Sequence, residues 1–210
     1  MKSFLLGAIA ALAITGSANA AELLTNGSFE SPNIGTGNYT YPAGTSGSWT
    51  YTGSALVNAT GSNAWYGATP PAGQDGGQFA ALQGLSTLSQ SFVASNSKAN
   101  VSWLAGGRPA FGANNGNQTY TVTVGANTLG TYSTVSSQAF GANGGILSGL
   151  TAGQTYTLSF NGQVAADETA FIDKVSVLGV PEPAQWALLI GGFGFVGIAS
   201  RRRRSNVVFA

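Results

Sequence analysis

The sequence predicts an all-β sandwich held between two sorting segments. Three observations carry this: period-two alternation recurs along the body, Gly/Asn/Ser clusters separate the alternating runs, and no helical pattern of useful length interrupts them. In chain order the expected strands are Leu23–Phe29, Phe79–Leu82, Thr87–Val93, Asn100–Ala105, Thr119–Val124, Thr128–Tyr132, Thr155–Phe160 and Ala170–Leu178. Thr119–Val124 is the cleanest, with Tyr120, Val122 and Val124 on one face and three threonines on the other. Gly125-Ala126-Asn127 then turns the chain into the next strand as a short hairpin. Thr155–Phe160 repeats the logic with Tyr156, Leu158 and Phe160 inward. Many short strands between turn signals fit a sandwich or a barrel, and the lack of a sustained internal repeat favours the sandwich.

The two ends read as addresses. Residues 1–20 carry Lys2, an apolar stretch from Phe4 to Ile14 and the small-residue site Ala18-Asn19-Ala20, so a helical secretory signal cleaved between Ala20 and Ala21 is expected. Residues 179–210 hold Pro181-Glu182-Pro183, an apolar run from Ala184 to Ala199 and Arg201–Arg204. As a helix, Ala184–Ser200 reaches about 25 Å, marginal against a hydrocarbon core of about 30 Å. Trp186 would anchor one end, and the arginines would hold the other on the cytoplasmic side. The two prolines keep the segment before that helix extended and open to a protease.

Composition narrows what the body at 21–178 can do. The chain has no cysteine, hence no disulfide or thiol chemistry, and no histidine, which removes the commonest general base and zinc ligand. Glu22, Glu30, Asp75, Asp167, Glu168 and Asp173 stand against Lys98, Arg108 and Lys174, an excess of three negative charges. Such a body has no electrostatic footprint for nucleic acid. Gly-x-Ser-x-Gly and phosphate-binding Gly-Lys-Ser/Thr motifs are absent. A glycosidase needs two carboxylates across a cleft, yet Asp167 and Glu168 are sequence neighbours. A non-catalytic protein is therefore expected.

Tyr39, Tyr41, Trp49, Tyr51, Trp65 and Tyr66 fall in a Gly/Ser/Thr/Asn-rich region. Flat rings among amides and hydroxyls suit a sugar-binding surface, which makes Trp49, Tyr51, Trp65 and Tyr66 candidate binding residues. Trp103 alternates with Val101 and Ala105 and belongs to the core. Arg108, in Gly106-Gly107-Arg108-Pro109, would hydrogen-bond a sugar or carboxylate, or serve the loop by bonding carbonyls or Asp173. In the last strand Phe171, Asp173, Val175 and Val177 share a face, which turns Asp173 inward. Unpaired, a buried carboxylate costs several kcal/mol. It needs a partner.

At Pro181-Glu182-Pro183-Ala184-Gln185-Trp186-Ala187, with the apolar run and arginines behind it, the tail resembles the PEP-CTERM sorting signal in its PEPxxWA form. The resemblance implies export by a Gram-negative bacterium, an inner-membrane intermediate, processing by an exosortase, and a final place at the cell surface or in the extracellular matrix with exopolysaccharide and biofilm. Asn26-Gly27-Ser28-Phe29-Glu30 and Ile172-Asp173-Lys174-Val175 resemble the first and last strands of galactose-binding-like jelly-roll modules, including carbohydrate-binding modules. That likeness implies a glycan ligand and a structural calcium held by Glu30 and Asp173. The alternatives are a purely structural surface protein and, less favoured, a glycan-active hydrolase.

Overall fold

The computed structural model describes residues 20–110, 117–180 and 183–202. The expected signal at 1–19 lies outside the described residues, as do Pro181, Glu182, Arg203 and Arg204 of the sorting motif. Ala20 and Ala21 are exposed.

Among the described residues, twelve strands form two six-stranded antiparallel sheets packed face to face. The strands are β1 (Tyr39–Thr40), β2 (Gly44–Ser46), β3 (Trp49–Thr52), β4 (Ala55–Asn58), β5 (Gln78–Gln83), β6 (Thr87–Val93), β7 (Lys98–Gly107), β8 (Gln118–Val124), β9 (Asn127–Thr134), β10 (Gly141–Ser148), β11 (Thr155–Gly162) and β12 (Thr169–Gly179). One sheet runs β1-β4-β5-β12-β7-β10 and the other β2-β3-β6-β11-β8-β9. The alternating runs fold as expected because one face of each meets the other sheet. On β8, Tyr120, Val122 and Val124 are fully buried while the threonines between them are partly exposed. Trp103 of β7 crosses to the facing sheet, donating its indole N–H to the Tyr120 hydroxyl at 3.0 Å. Satisfying that buried pair lets two large rings enter the core without a desolvation penalty.

Two expectations are corrected. Leu23–Phe29 is not a strand: a single bridge, Glu22 to Leu178, precedes it, and it ends in a turn in which Asn26 (φ 53°) and Phe29 (φ 57°) are left-handed. The Asn26 amide donates to the Ser31 and Gly47 carbonyls, and Thr25 N–H donates to Gln90 Oε1, so side chains capture groups a ladder would use. Phe29 still reaches the core, 5.0 Å from the Trp49 ring.

The second correction concerns the last strand. Its register against β7 shifts between Asp173 and Ser176, and Lys174 is left-handed (φ 46°). The extra residue reverses the alternation. Ile172, Val175 and Val177 therefore join the core between the sheets, whereas Phe171 joins a second cluster.

That second cluster lies outside the sandwich. Val57, Phe79, Ala81 and Phe171 face away from the main core and are covered by Trp65, Tyr66 and Phe140. Segment 59–77 supplies the cover apart from Phe140, and is closed at its base by Ala59 N–H donating to the Gly77 carbonyl at 2.8 Å. β4 and most of β5 are consequently buried on both faces.

Beyond β12 a helix, α1, runs from Pro183 to Arg202 and contains Trp186, Arg201 and Arg202. Ile190, Phe193, Phe195 and Val196 on it are exposed. Among the described residues no helix is long and apolar enough to cross a membrane.

Candidate functional site

Where segment 59–77 meets the end of the first sheet, six side chains form a ring. Trp65 follows a local turn, its N–H bonded to Asn63 Oδ1 at 2.8 Å. Tyr39 and Tyr41 stand over it, each with its ring centroid 6.0 Å from that of Trp65. The Arg108 guanidinium sits 4.7 Å from the Trp65 ring centroid, a cation–π contact. Arg108 also donates to Asp167 Oδ1 at 3.0 Å. Gln83 completes the circuit, its amide donating to Asp167 while its oxygen accepts from the Tyr41 hydroxyl at 2.7 Å. Partial burial raises the Tyr41 phenol above its ordinary value, a rise that the nearby Arg108 charge opposes.

Exposure is uneven across this ring. Tyr39 and Tyr41 are about half exposed at 46% and 49%, whereas Trp65 is only 3% exposed. Trp65 is thus the floor, and the two tyrosines and Asp167 form the rim. Arg108 is buried, and its Nε has no hydrogen-bond partner among the described residues. The arrangement offers apolar ring faces beside an acceptor carboxylate, an amide and two phenols, the mixture a sugar's CH face and hydroxyls require.

The other expected binding residues are elsewhere. Trp49 and Tyr51 lie on β3 and point into the main core, at 0% and 4% exposure, so neither presents a ring to solvent. Alternation within β3, with Thr50 and Thr52 outward, turns them inward. Tyr66, on segment 59–77 itself, is buried with its ring turned toward Phe79, donating its hydroxyl to the Asn58 carbonyl at 2.7 Å. A shallow depression on the uncovered half of the same sheet, beside Leu104, Asn143 and Lys174, has Trp103 as its one aromatic neighbour, and that ring is buried in the core.

A separate cluster joins the first turn of the body to its last strand. Asp173 is fully buried and accepts from the Asp75 N–H and from its neighbour Lys174 N–H, both at 2.7 Å. Glu30 Oε1 accepts from the N–H groups of Gly77 (2.8 Å) and Gln78 (2.9 Å). Asp75 accepts from the Ser28 hydroxyl at 2.7 Å and pairs loosely with Lys174 at 3.4 Å. Burial, reinforced by the Asp75 and Glu30 charges and only partly offset by the two N–H donors, pushes Asp173 up to about 8. Asp75 moves the other way, chiefly through its Ser28 bond. Asp173 therefore takes backbone donors, and the side-chain bond of Arg108 goes to Asp167 instead. Among the described residues no three acidic side chains converge as a ready metal-binding group.

The sequence reading did not single out Gln83 and Asp167 for the ring, or Asp75 for the cluster. Asp75-Gly76-Gly77 looks like turn chemistry, and only the fold brings it to Glu30.

No family model matches the chain, and no curated protein matches it. Solved structures do. An apo-form cyclase from Fischerella sp. superposes with a TM-score of 0.58 at 14% identity, over 77% of this chain and 97% of that one. The Stig cyclase Fisc from Fischerella sp. TAU gives 0.57 at 15% identity, over 77% and 98%. The CBM22-1 xylan-binding domain from Paenibacillus barcinonensis Xyn10C gives 0.47 at 16% identity, over 80% and 100%. At these identities the cyclases share the two-sheet fold alone, and the xylan-binding domain, below 0.5, supports nothing further.

Proposed function

We propose that this chain is an exported, non-catalytic glycan-binding protein of the cell surface or extracellular matrix, associated with exopolysaccharide. Its body would be a galactose-binding-like jelly roll, delivered by the leader at 1–20. The tail at 179–210 would be held transiently in the inner membrane and processed there by an exosortase-type enzyme. The observation that carries the glycan reading is the Tyr39–Tyr41–Trp65 aromatic corner, edged by Gln83 and Asp167. The only body arginine is committed to Trp65 and Asp167, and Glu168 is turned into the fold, accepting the Asn117 N–H at 2.6 Å. Both are arrangements of a binding surface more than of an acid–base pair.

The test is retention of purified protein on a panel of polysaccharides, with Tyr39→Ala and Tyr41→Ala, the two exposed rings, beside the parent. Retention that falls about five- to tenfold in either variant supports the site, since losing one stacking ring costs on the order of 1–1.5 kcal/mol. A stably folded parent that no glycan retains leaves the purely structural surface role. Released reducing sugar would favour a hydrolase.

Calcium is part of the same reading. Hard oxygen ligands suit that ion, and although the three carboxylates do not converge as a ready site, the Asp75 and Glu30 charges act on the buried Asp173, a repulsion that a cation would relieve. Glu30 and Asp173 would hold it, tying the first turn of the body to its last strand.

A further inference from the structure

We propose that Asp167 makes this site selective for uncharged glycans, an inference that rests on the glycan reading above. Arg108 is the one cation at the aromatic corner among the described residues, and a lone arginine over an aromatic ring would ordinarily welcome a uronate or other acidic sugar. Here its charge is already answered. NH1 lies 3.0 Å from Asp167 Oδ1, and the side chain is only 10% exposed, whereas that of Asp167 is 52% exposed. The guanidinium faces inward onto Trp65, and the carboxylate is what an arriving ligand meets.

That geometry sorts ligands by charge. Sugar hydroxyls can donate to the free lone pairs of Asp167 and exchange hydrogen bonds with Gln83 and the two tyrosine hydroxyls, all at the rim. An acidic sugar would set its own carboxylate against Asp167, or would have to displace Asp167 and leave that carboxylate unpaired beside it. Neither route recovers what an unpaired arginine would give, because like charges at contact repel and a broken ion pair is costly. The body's remaining charge, an excess of three acids, acts in the same direction at longer range.

The experiment is affinity electrophoresis of the full chain in native gels containing neutral polysaccharides (xylan, galactomannan, mixed-linkage glucan) or polygalacturonate, at low and moderate salt. The parent should be retarded by at least one neutral gel and at least about tenfold less by polygalacturonate, the scale expected for a like-charge contact near a surface. Asp167→Asn should gain retardation by polygalacturonate that added salt removes, and Asp167→Glu, which keeps the anion, should not. Equal retardation of the parent by neutral and acidic gels overturns the inference while leaving glycan binding intact, a result that needs no variant. A folded Asp167→Asn protein that gains nothing on polygalacturonate overturns it too. A parent retarded by no polysaccharide removes the glycan reading and this inference together.

Discussion

Raising the pH from 5 to 8 in the presence of a chelator should destabilise this protein through one residue. In the folded chain Asp173 is pushed up to about 8 from the ordinary aspartate value of 3.8. Between those values the folded state holds a proton that the unfolded chain releases, so stability falls as pH rises and flattens once the pH passes about 8. Each unit is worth about 1.4 kcal/mol, which gives about 4 kcal/mol across the interval and, for a domain of this size, a drop in Tm on the order of ten degrees. The assay is thermal or urea unfolding at unit pH steps, comparing the parent with Asp173→Asn. The variant cannot ionise there, but its single amide oxygen faces two N–H donors, so it should start about 1–3 kcal/mol less stable at pH 5, cross the falling parent curve between about pH 6 and 7, and end about 1–3 kcal/mol more stable at pH 8. Other groups, including Asp75 with its opposite shift, are common to both proteins and largely cancel. A bound cation would favour the ionised carboxylate, so saturating calcium should flatten the parent's slope and stabilise most at high pH. Parallel curves for the two proteins in chelator would refute the buried-charge argument. Superimposed curves with and without calcium would remove calcium alone.

Two further outcomes follow from the covering segment. Gly76 is left-handed (φ +79°), and a Cβ there would lie 2.5 Å from Glu30 Oε1, so Gly76→Ala should cost at least about 2 kcal/mol in denaturant unfolding. Gly67→Ala, also left-handed but with open space around it, should cost only about 1 kcal/mol. Phe171→Ala, removing a fully buried ring 4.5 Å from Phe79 and 6.4 Å from Trp65, should cost about 3–5 kcal/mol and release segment 59–77 to limited proteolysis. An equal cost for the two glycines, or an unchanged cleavage pattern, would count against this account of the cover.

Most of the strands legible in the sequence have one wet face, although Phe79–Leu82 of β5 is also expected and is buried on both. β6, β8 and β11 alternate because each lies between core and solvent, and they appear where the pattern placed them. β4 was invisible because Ala55–Asn58 is buried on both sides, which erases the period. β10 was invisible for a different reason: Gly141, Gly144 and Gly145 make it look like a turn, yet all eight of its residues pair with β7. β3 alternates, but four residues between Gly/Ser clusters are too few to read, so Trp49 and Tyr51 passed for surface rings.

The same limit governs the site. Trp65 and Arg108 could be picked out by residue type, but their meeting depends on segment 59–77 folding back over the outer face of the first sheet. That fold-back is fixed at its far end by the acidic cluster, where Asp75 N–H bonds to Asp173, and Gly77 and Gln78 N–H bond to Glu30. Asp173 was legible as a carboxylate with no exit to solvent. Its side of the sheet was not, because the bulge at Lys174 sets it, and nothing about a lysine announces a left-handed backbone. One displaced residue in β12 keeps Val175 and Val177 in the core while leaving Asp173 on the outer face, against the segment that carries Trp65. The anchor of the cover and the floor of the ring are thus two ends of one loop, and a bulge in the last strand places the anchor.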